Sequence, residues 1–301
     1  MFDRLMHASP QERGSSCKPP TNPSGCALAE TVNRAPCRFF FGVESLRFAL
    51  PVFLFFFVIL APRAGARPTV SVAAASNLVY ALDDLANAFR TTHPDIDLLL
   101  STGASGSLVA QIRHGAPCDV FVSADRDYPQ ALVDAGLADP ASLTVFATGR
   151  LALWTTRDAL ALDSIPHVVR EARKLALANP DTAPYGRAAQ HLLATLDLTA
   201  VAAPKIVLGE NITQTAQFVE TGHADAGFVA LSLVLSPRLK NRGRFLEIPA
   251  NLHPPLQHAA ILTPRGTANP AARRFLEFLR STTAREILRR HGYAIPEKPN
   301  S

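Results

Sequence analysis

Short apolar segments alternate with amphipathic segments along most of this 301-residue chain, and this alternation restricts the fold more than any other feature. The amphipathic segments repeat apolar residues every three or four positions, as helices packed on one face do. The apolar runs are short, which favours buried strands. We predict strands at 70–74, 96–101, 120–123, 143–154, 175–178, 205–208, 226–230 and 259–263. Alternating strands and helices predict an α/β fold with a largely parallel sheet.

Several predicted helices are followed directly by glycine. Glycine adopts the left-handed backbone conformation that commonly ends a helix. We therefore predict helix C-termini just before Gly115, Gly136, Gly222 and Gly292.

The front of the chain has the features of a targeting segment. An uncharged apolar run covers 48–61, and the small residues 64–66 after it form a small-x-small cleavage pattern. We expect a signal peptide at 47–66, cleaved near Ala66, and a periplasmic mature protein. The run is shorter than the roughly 20 residues that span a membrane, so an uncleaved anchor is the weaker alternative. Residues 1–46 are polar and rich in proline and glycine, which predicts a disordered or wrongly assigned leader.

Composition excludes several classes of protein. Hydrophobic residues make up 48% of the chain, which is enough for a large core and excludes disorder of the whole chain. The net charge of +5 is spread along the sequence, so we expect no nucleic-acid partner. Cys118 is the one cysteine after residue 66, so the mature protein has no internal disulfide, and we predict Cys118 to be a small core residue.

Four predicted strands end in small or hydroxyl-bearing residues that lead directly into a predicted helix. Helix N-termini carry unpaired backbone N–H groups and roughly half a positive charge, so they bind anions. In an open α/β sheet, ligands bind at the carboxyl ends of the strands, where these corners lie. None of the four contains a basic residue, so together they would hold a dianion by uncapped N–H and hydroxyl groups alone. The corners are 73–77, 101–107, 179–186 and 209–215.

Two other interpretations of these corners stay open. Serine, threonine, asparagine and glycine are the commonest N-caps, so ordinary capping explains any single corner. The sequence around Ser105 also resembles the Gly-x-Ser-x-Gly elbow of serine hydrolases, but Ser107 stands where that motif needs glycine. An exported hydrolase is therefore the weaker hypothesis.

Two pairs of polar residues outside the corners invite a metal or catalytic interpretation. Asp119 and Asp125 bracket a short predicted strand, and we interpret them as corner or capping residues. His253 and His258 flank two prolines, and we interpret both as loop or surface residues rather than zinc ligands.

Five segments, taken in chain order, resemble the periplasmic molybdate-binding proteins of ABC importers. They are VAAASN, STGASGSLVAQIRHGAPCDVFVSAD, ANPDTAPYGRAAQ, GENITQT and GHADAGFVALS. The resemblance covers 67–301 and implies a type II periplasmic-binding-protein fold. In that fold two α/β lobes, each a mixed, mostly parallel sheet flanked by helices, enclose a ligand cleft. Lobe one would be 67–148 plus 248–301, and lobe two would be 149–247.

The resemblance also implies the oxyanion-binding residues. Ser76 and Ser105 match serines that bind the anion through hydroxyl and backbone N–H groups. Asn77, Tyr185 and Ile212 match positions that contribute backbone N–H groups. Some members have a cleft tyrosine at the position of Ala230, and this chain lacks it.

The function implied is binding without catalysis. The ligand would be molybdate or tungstate, held by the residues above with no direct cation ligand and no cofactor. The implied partners are an ABC permease and its ATPase. The protein would be a monomer, and it would not be an enzyme. Another tetrahedral oxyanion, such as sulfate, is the alternative ligand.

Overall fold

The computed structural model describes residues 67–296 and contains two five-stranded sheets flanked by helices. The strands are β1 (Thr69–Ala75), β2 (Asp97–Gly103), β3 (Val120–Ser123), β4 (Thr144–Gly149), β5 (Leu151–Thr155), β6 (Leu175–Ala178), β7 (Ile206–Gly209), β8 (Ala226–Ala230), β9 (Arg244–Glu247) and β10 (Leu256–Leu262). The α-helices are α1 (Val79–Thr92), α2 (Ser105–Arg113), α3 (Asp127–Asp134), α4 (Ile165–Glu171), α5 (Pro184–Thr195), α6 (Thr199–Ala202), α7 (Ile212–Glu220), α8 (Leu231–Val234), α9 (Pro264–Thr267), α10 (Pro270–Phe278) and α11 (Thr282–Arg290). Four short 3-10 helices include Ser76–Leu78, which directly follows β1.

The two sheets have the same topology. The first has the order β2-β1-β3-β10-β4 and the second the order β7-β6-β8-β5-β9. In the first, β1 pairs in parallel with β2 and β3, whereas β10 runs antiparallel to β3 and β4. In the second, β6 pairs in parallel with β7 and β8, whereas β5 runs antiparallel to β8 and β9. The sheets are therefore mixed, and four of the five strands in each run in the same direction, which confirms the prediction of a mixed, mostly parallel sheet in each lobe.

The chain crosses between the sheets twice, and the first crossing explains one error in the strand predictions. The predicted single strand at 143–154 is two strands, β4 and β5, which belong to different sheets and are separated by Arg150. The second crossing is the segment between β9 and β10. Strand β9 was missed because it is an edge strand whose residues are largely exposed, so it lacks an apolar run. The predicted residue bounds of the lobes stay a prediction.

Each sheet has its own apolar core. Trp154 and Phe228 lie in the core around the second sheet, where the Trp154 Nε1–H donates to the Arg242 carbonyl at 2.8 Å. Phe89 and Phe121 lie in cores on opposite faces of the first sheet. Cys118 is buried beside Phe121, as predicted, and burial raises its thiol pKa to about 11. The thiol is thus protonated at neutral pH, and its contribution is packing.

The local signals for helix ends were accurate. Gly115, Gly136, Gly222 and Gly292 all have positive φ angles and follow helices, as predicted. The predicted leader and signal peptide at 1–66 lie outside the described residues. Within 67–296, no helix is long and apolar enough to cross a membrane.

Candidate functional site

All four strand-to-helix corners meet at one small cavity between the two sheets. Its volume is about 10 Å³. The lining residues are Ala75, Ser76, Asn77, Gly103, Ala104, Ser105, Ala124, Ala183, Pro184, Tyr185 and Ile212. The structure therefore brings together all five residues named from the sequence, while their roles as ligands stay a prediction.

Lobe one contributes the two serines. Ser76 opens the 3-10 helix after β1, and Ser105 opens α2 after β2. Both residues are at most 5% exposed, and neither helix start has a side-chain cap. The Ser105 Oγ accepts a hydrogen bond from the Ala124 N–H at 3.2 Å. Because that bond uses a lone pair, the Ser105 hydroxyl keeps its own hydrogen for a ligand in the cavity.

Lobe two contributes two helix starts of different kinds. At α5, Pro184 occupies the first position and no side chain caps the following N–H groups. At α7, the Asn211 side chain accepts from the N–H groups of Thr213 and Gln214, each at 3.0 Å. The prediction of an uncapped helix start was therefore wrong for α7. Asn211 therefore satisfies those two donors. Ile212, at the first position of α7, is the residue of this helix that lines the cavity.

The electrostatic character of the cavity comes from dipoles. None of the lining residues carries a charged side chain. Three helices longer than eight residues, α2, α5 and α7, begin at the cavity, and the N-termini of α2 and α5, which no side chain caps, favour an anion there. Arg187, one turn into α5, is committed to an ion pair with Asp125. An oxyanion in this cavity would meet N–H and hydroxyl donors and no charged side chain of the lining, and its binding there stays a prediction.

The lobes are closed over the cavity. The Thr213 hydroxyl of lobe two donates to the Ser76 carbonyl of lobe one at 2.9 Å. The Gly106 N–H of lobe one donates to the Thr182 carbonyl of lobe two at 2.8 Å. Every lining residue with a predicted ligand role is at most 5% exposed. A bound anion would be out of contact with bulk water, which strengthens each hydrogen bond to it.

A buried polar cluster behind Asn77 was missed from the sequence. His258 lies in β10 and is fully buried, so its interpretation as a loop or surface residue was wrong. Its Nδ1 lies 3.0 Å from the Leu256 carbonyl, which can only accept, so Nδ1 carries the hydrogen. The His258 Nε2 then accepts from the Asn77 Nδ2 at 2.7 Å. Nδ2 also donates to the Tyr293 hydroxyl at 2.8 Å. These bonds fix the orientation of the Asn77 amide beside the cavity.

Two atoms of this region have no partner among residues 67–296. They are the Asn77 Oδ1 and the Tyr185 hydroxyl, both buried. The Tyr185 hydroxyl lies beside His258 at a place that a Cβ on Gly149 would fill, so Gly149 is needed for the Tyr185 side chain to fit. Burial raises the pKa of the Tyr185 hydroxyl well above its ordinary value, so Tyr185 stays neutral. Ala230 is fully buried at the end of β8 and offers no hydroxyl.

The burial of His258 makes stability depend on pH. Burial lowers the His258 pKa from 6.5 to about 4. The folded protein therefore prefers neutral His258, so this contribution is complete above pH 6.5 and is lost as pH falls toward 4. We expect the free energy of unfolding, measured with urea, to fall by about 2 to 3 kcal/mol more in wild type than in His258→Gln between pH 7.5 and 4.5. His114→Gln, at an exposed site, should behave as wild type. An equally steep fall in His258→Gln would show that another group is responsible.

The other residues considered for catalysis or metal binding are engaged in structural contacts. Asp119 accepts from the Ser71 N–H at 2.7 Å and pairs with Arg265 at 2.9 Å. Asp125 pairs with Arg187 and accepts from the Tyr128 N–H at the start of α3, as a capping residue does. Within the described range, no group of three or more His, Cys, Asp or Glu residues could hold a metal ion.

Comparison with known proteins gives a family match over nearly all of the described residues. Residues 70–294 match the family described as bacterial extracellular solute-binding protein. The chain belongs to this family. As a bacterial extracellular solute-binding protein, it has the two-lobed type II fold that the sequence segments implied, and solved relatives confirm that fold.

Several relatives of this solute-binding protein are named for molybdate. The molybdate-binding protein ModA of Azotobacter vinelandii is 36% identical over 229 residues, which are 75% of this chain and 90% of that protein. ModA of Rhodobacter capsulatus is 37% identical over 191 residues, covering 64% of this chain and 75% of that protein. The solved periplasmic molybdate-binding protein of Azotobacter vinelandii has a TM-score of 0.71 and 32% identity, covering 76% of this chain and 100% of that chain.

A more distant likeness shows the fold alone. The sulfate-binding protein SubI of Mycobacterium tuberculosis H37Rv has a TM-score of 0.65 but only 11% identity. The match covers 76% of this chain and 88% of that chain. The shared fold therefore occurs in proteins named for different oxyanions.

Proposed function

We propose that this solute-binding protein captures molybdate or tungstate outside the cytoplasm and delivers it to the permease of an ABC importer. The observation that carries the proposal is the closed, uncharged cavity at which four strand-to-helix corners meet. The anion would accept hydrogen bonds from the hydroxyl and N–H groups of Ser76 and Ser105 and from the N–H groups of Asn77, Tyr185 and Ile212. No resident cofactor takes part. The protein donors would bond the oxygen atoms of the anion, and none would coordinate the Mo or W atom directly.

Neutral donors are sufficient for tight binding. Hydrogen bonds to a charged group contribute about 1.5 to 3 kcal/mol each, so five to seven supply roughly 8 to 20 kcal/mol before the costs of association. Micromolar to nanomolar binding needs about 8 to 12 kcal/mol net. The absence of a charged side chain from the lining suits a fully deprotonated dianion, because each N–H or O–H needs only an acceptor oxygen.

The identity of the anion follows from size and from the relatives. Two relatives more than 35% identical to this chain are named for molybdate. Molybdate and tungstate are nearly equal in size and larger than sulfate, so a cavity fitted to one accepts the other. A tyrosine is missing at Ala230, and either Tyr185 and Asn77 compensate for it or the anion preference differs; the Tyr185 side chain lies beside Gly149 and His258.

The geometry favours reversible binding over hydrolysis. A serine nucleophile needs a base within hydrogen-bond reach of its hydroxyl. The partner of the Ser105 Oγ among residues 67–296 is the Ala124 N–H, and the nearby histidine His258 directs its Nε2 to Asn77 instead. The chemistry is therefore closure of two lobes over an anion without a covalent step.

Calorimetric titration of the full-length protein with molybdate, tungstate, sulfate and phosphate tests the proposal. We expect one-to-one binding of molybdate and tungstate with submicromolar Kd and no heat from the other two anions. Tighter binding of sulfate or phosphate would replace the ligand but keep the oxyanion site. Silence from all four would overturn the proposed function.

A further inference from the structure

One group of side chains joins the lobes without lining the cavity. Arg187 on α5 of lobe two contacts two side chains of lobe one. Its Nη2 pairs with the Asp125 carboxylate, and its Nη1 donates to the Tyr128 hydroxyl at 3.0 Å. The guanidinium also lies over the Tyr128 ring, 4.9 Å from its centre. We call Arg187, Asp125 and Tyr128 the cleft latch.

The lobe-one half of the latch is held in place by its own lobe. Asp125 accepts from the Ser123 hydroxyl at 2.9 Å and from the Tyr128 N–H at 3.2 Å. The carboxylate is therefore oriented before Arg187 reaches it. The Tyr128 hydroxyl, which accepts from Arg187, donates across the cleft to the Asp181 carbonyl at 3.0 Å. The guanidinium thus bonds two lobe-one side chains, Asp125 and Tyr128, and the Tyr128 hydroxyl makes a third bond across the cleft.

Because the ion pair of the latch is partly buried, losing either partner should disfavour the closed state. The Asp125 side chain is 9% exposed and the Arg187 side chain 38% exposed. Removing one partner would leave the other in the closed cleft without its countercharge, which disfavours closure. With the lobes apart, water would solvate both groups, so the same removal would change the open state little.

We propose that Arg187, Asp125 and Tyr128 form a latch that exists only in the closed state and sets the affinity for the anion without touching it. This inference rests on the proposed function for its ligand, though the latch itself is a property of the closed lobes. The apparent Kd of a ligand held by the closed state rises as the closed fraction falls. Loss of the latch therefore weakens every bound anion by the same factor, and the preference among anions stays constant. Arg187 is in this sense a positioning residue.

The test measures Kd for molybdate and tungstate in Arg187→Ala, Asp125→Asn and the double variant of the full-length protein. We expect each single variant to raise both Kd values by the same factor, about 5- to 30-fold, with faster release. The double variant should be no weaker than the weaker single variant, because both changes remove one interaction. Unchanged Kd values, additive effects, or a factor that differs between the two anions would overturn the proposal.

A matched control separates the latch from general loss of stability. Arg157 pairs with Asp225 entirely within lobe two, and their side chains are 42% and 11% exposed, close to the values for the latch pair. Arg157→Ala should lower the unfolding midpoint but leave both Kd values unchanged. If Arg157→Ala weakens binding as much as Arg187→Ala, the latch has no special role and the proposal fails.

A measurement on the ligand-free protein tests the latch independently of the proposed function. The Gly106 N–H bonds across the cleft to Thr182, so its hydrogen exchange in the ligand-free protein reports closure. We expect faster exchange at Gly106 in Arg187→Ala than in wild type, and no change in Arg157→Ala. If wild type binds no oxyanion, the proposed function fails, whereas equal Gly106 exchange in wild type and Arg187→Ala would overturn the latch whether or not an oxyanion binds.

Discussion

Replacing Gly106 by valine should weaken molybdate binding about a hundredfold or more while the ligand-free protein keeps its fold. A Cβ at Gly106 would lie 3.0 Å from the Thr182 Cα in the facing lobe and would also contact the Tyr128 hydroxyl. The tyrosine side chain can move aside, but the Thr182 Cα is backbone, so the branched valine forces the lobes apart. The two donors from lobe two, the N–H groups of Tyr185 and Ile212, are then lost, at about 1.5 to 3 kcal/mol each.

Calorimetry with molybdate and urea unfolding of the ligand-free protein measure the two halves of this prediction. Ala110→Val provides the control, since Ala110 is an exposed residue of the same helix, α2. It adds the same kind of side chain without facing lobe two. Tight binding by Gly106→Val would mean that the closed arrangement described above is not the one that holds the ligand.

The second large effect is expected at the two serines. Ser76→Ala and Ser105→Ala should each weaken molybdate binding by about 1 to 3 kcal/mol, or roughly 5- to 150-fold. Each change removes a hydroxyl donor from the cavity, and Ser105→Ala also leaves the Ala124 N–H without its acceptor. Because both serines are at most 5% exposed, water cannot readily take the place of the lost donor.

Isothermal calorimetry of each variant gives the Kd values. Ser101→Ala serves as the control, because Ser101 is an exposed serine at the end of β2, outside the cavity lining. It should bind as wild type does. Wild-type affinity in both Ser76→Ala and Ser105→Ala would remove the proposed site.

Much of the site could be predicted because its signals are local. Each corner is a few consecutive residues in which a strand ends and a helix begins, and those residue types are visible in the sequence. The alternating pattern placed the corners at one end of the sheets, and the structure brings Ser76, Ser105, Tyr185 and Ile212 to one cavity. The capping of α7 by Asn211 also has a local signal, since asparagine is a strong N-cap. It was missed because the corner was interpreted as an uncapped anion site.

The features that were missed depend on contacts between distant residues. His258 and Asn77 are 181 residues apart, and nothing local marks the histidine as buried once two prolines precede its strand. Arg187 and Asp125 are 62 residues apart, so their pairing across the cleft has no pattern in the sequence. The crossover at Arg150 was hidden because apolar residues continue on both sides of it, so two strands resembled one.

The crystal structure of the complex with molybdate, measured with anomalous scattering at the molybdenum edge, tests the central claim most directly. The account predicts one strong anomalous peak in the cavity, with its oxygens within hydrogen-bond distance of Ser76 and Ser105 and of N–H groups from both lobes. A peak outside the cavity beside surface arginines, or contacts from one lobe only, would contradict it.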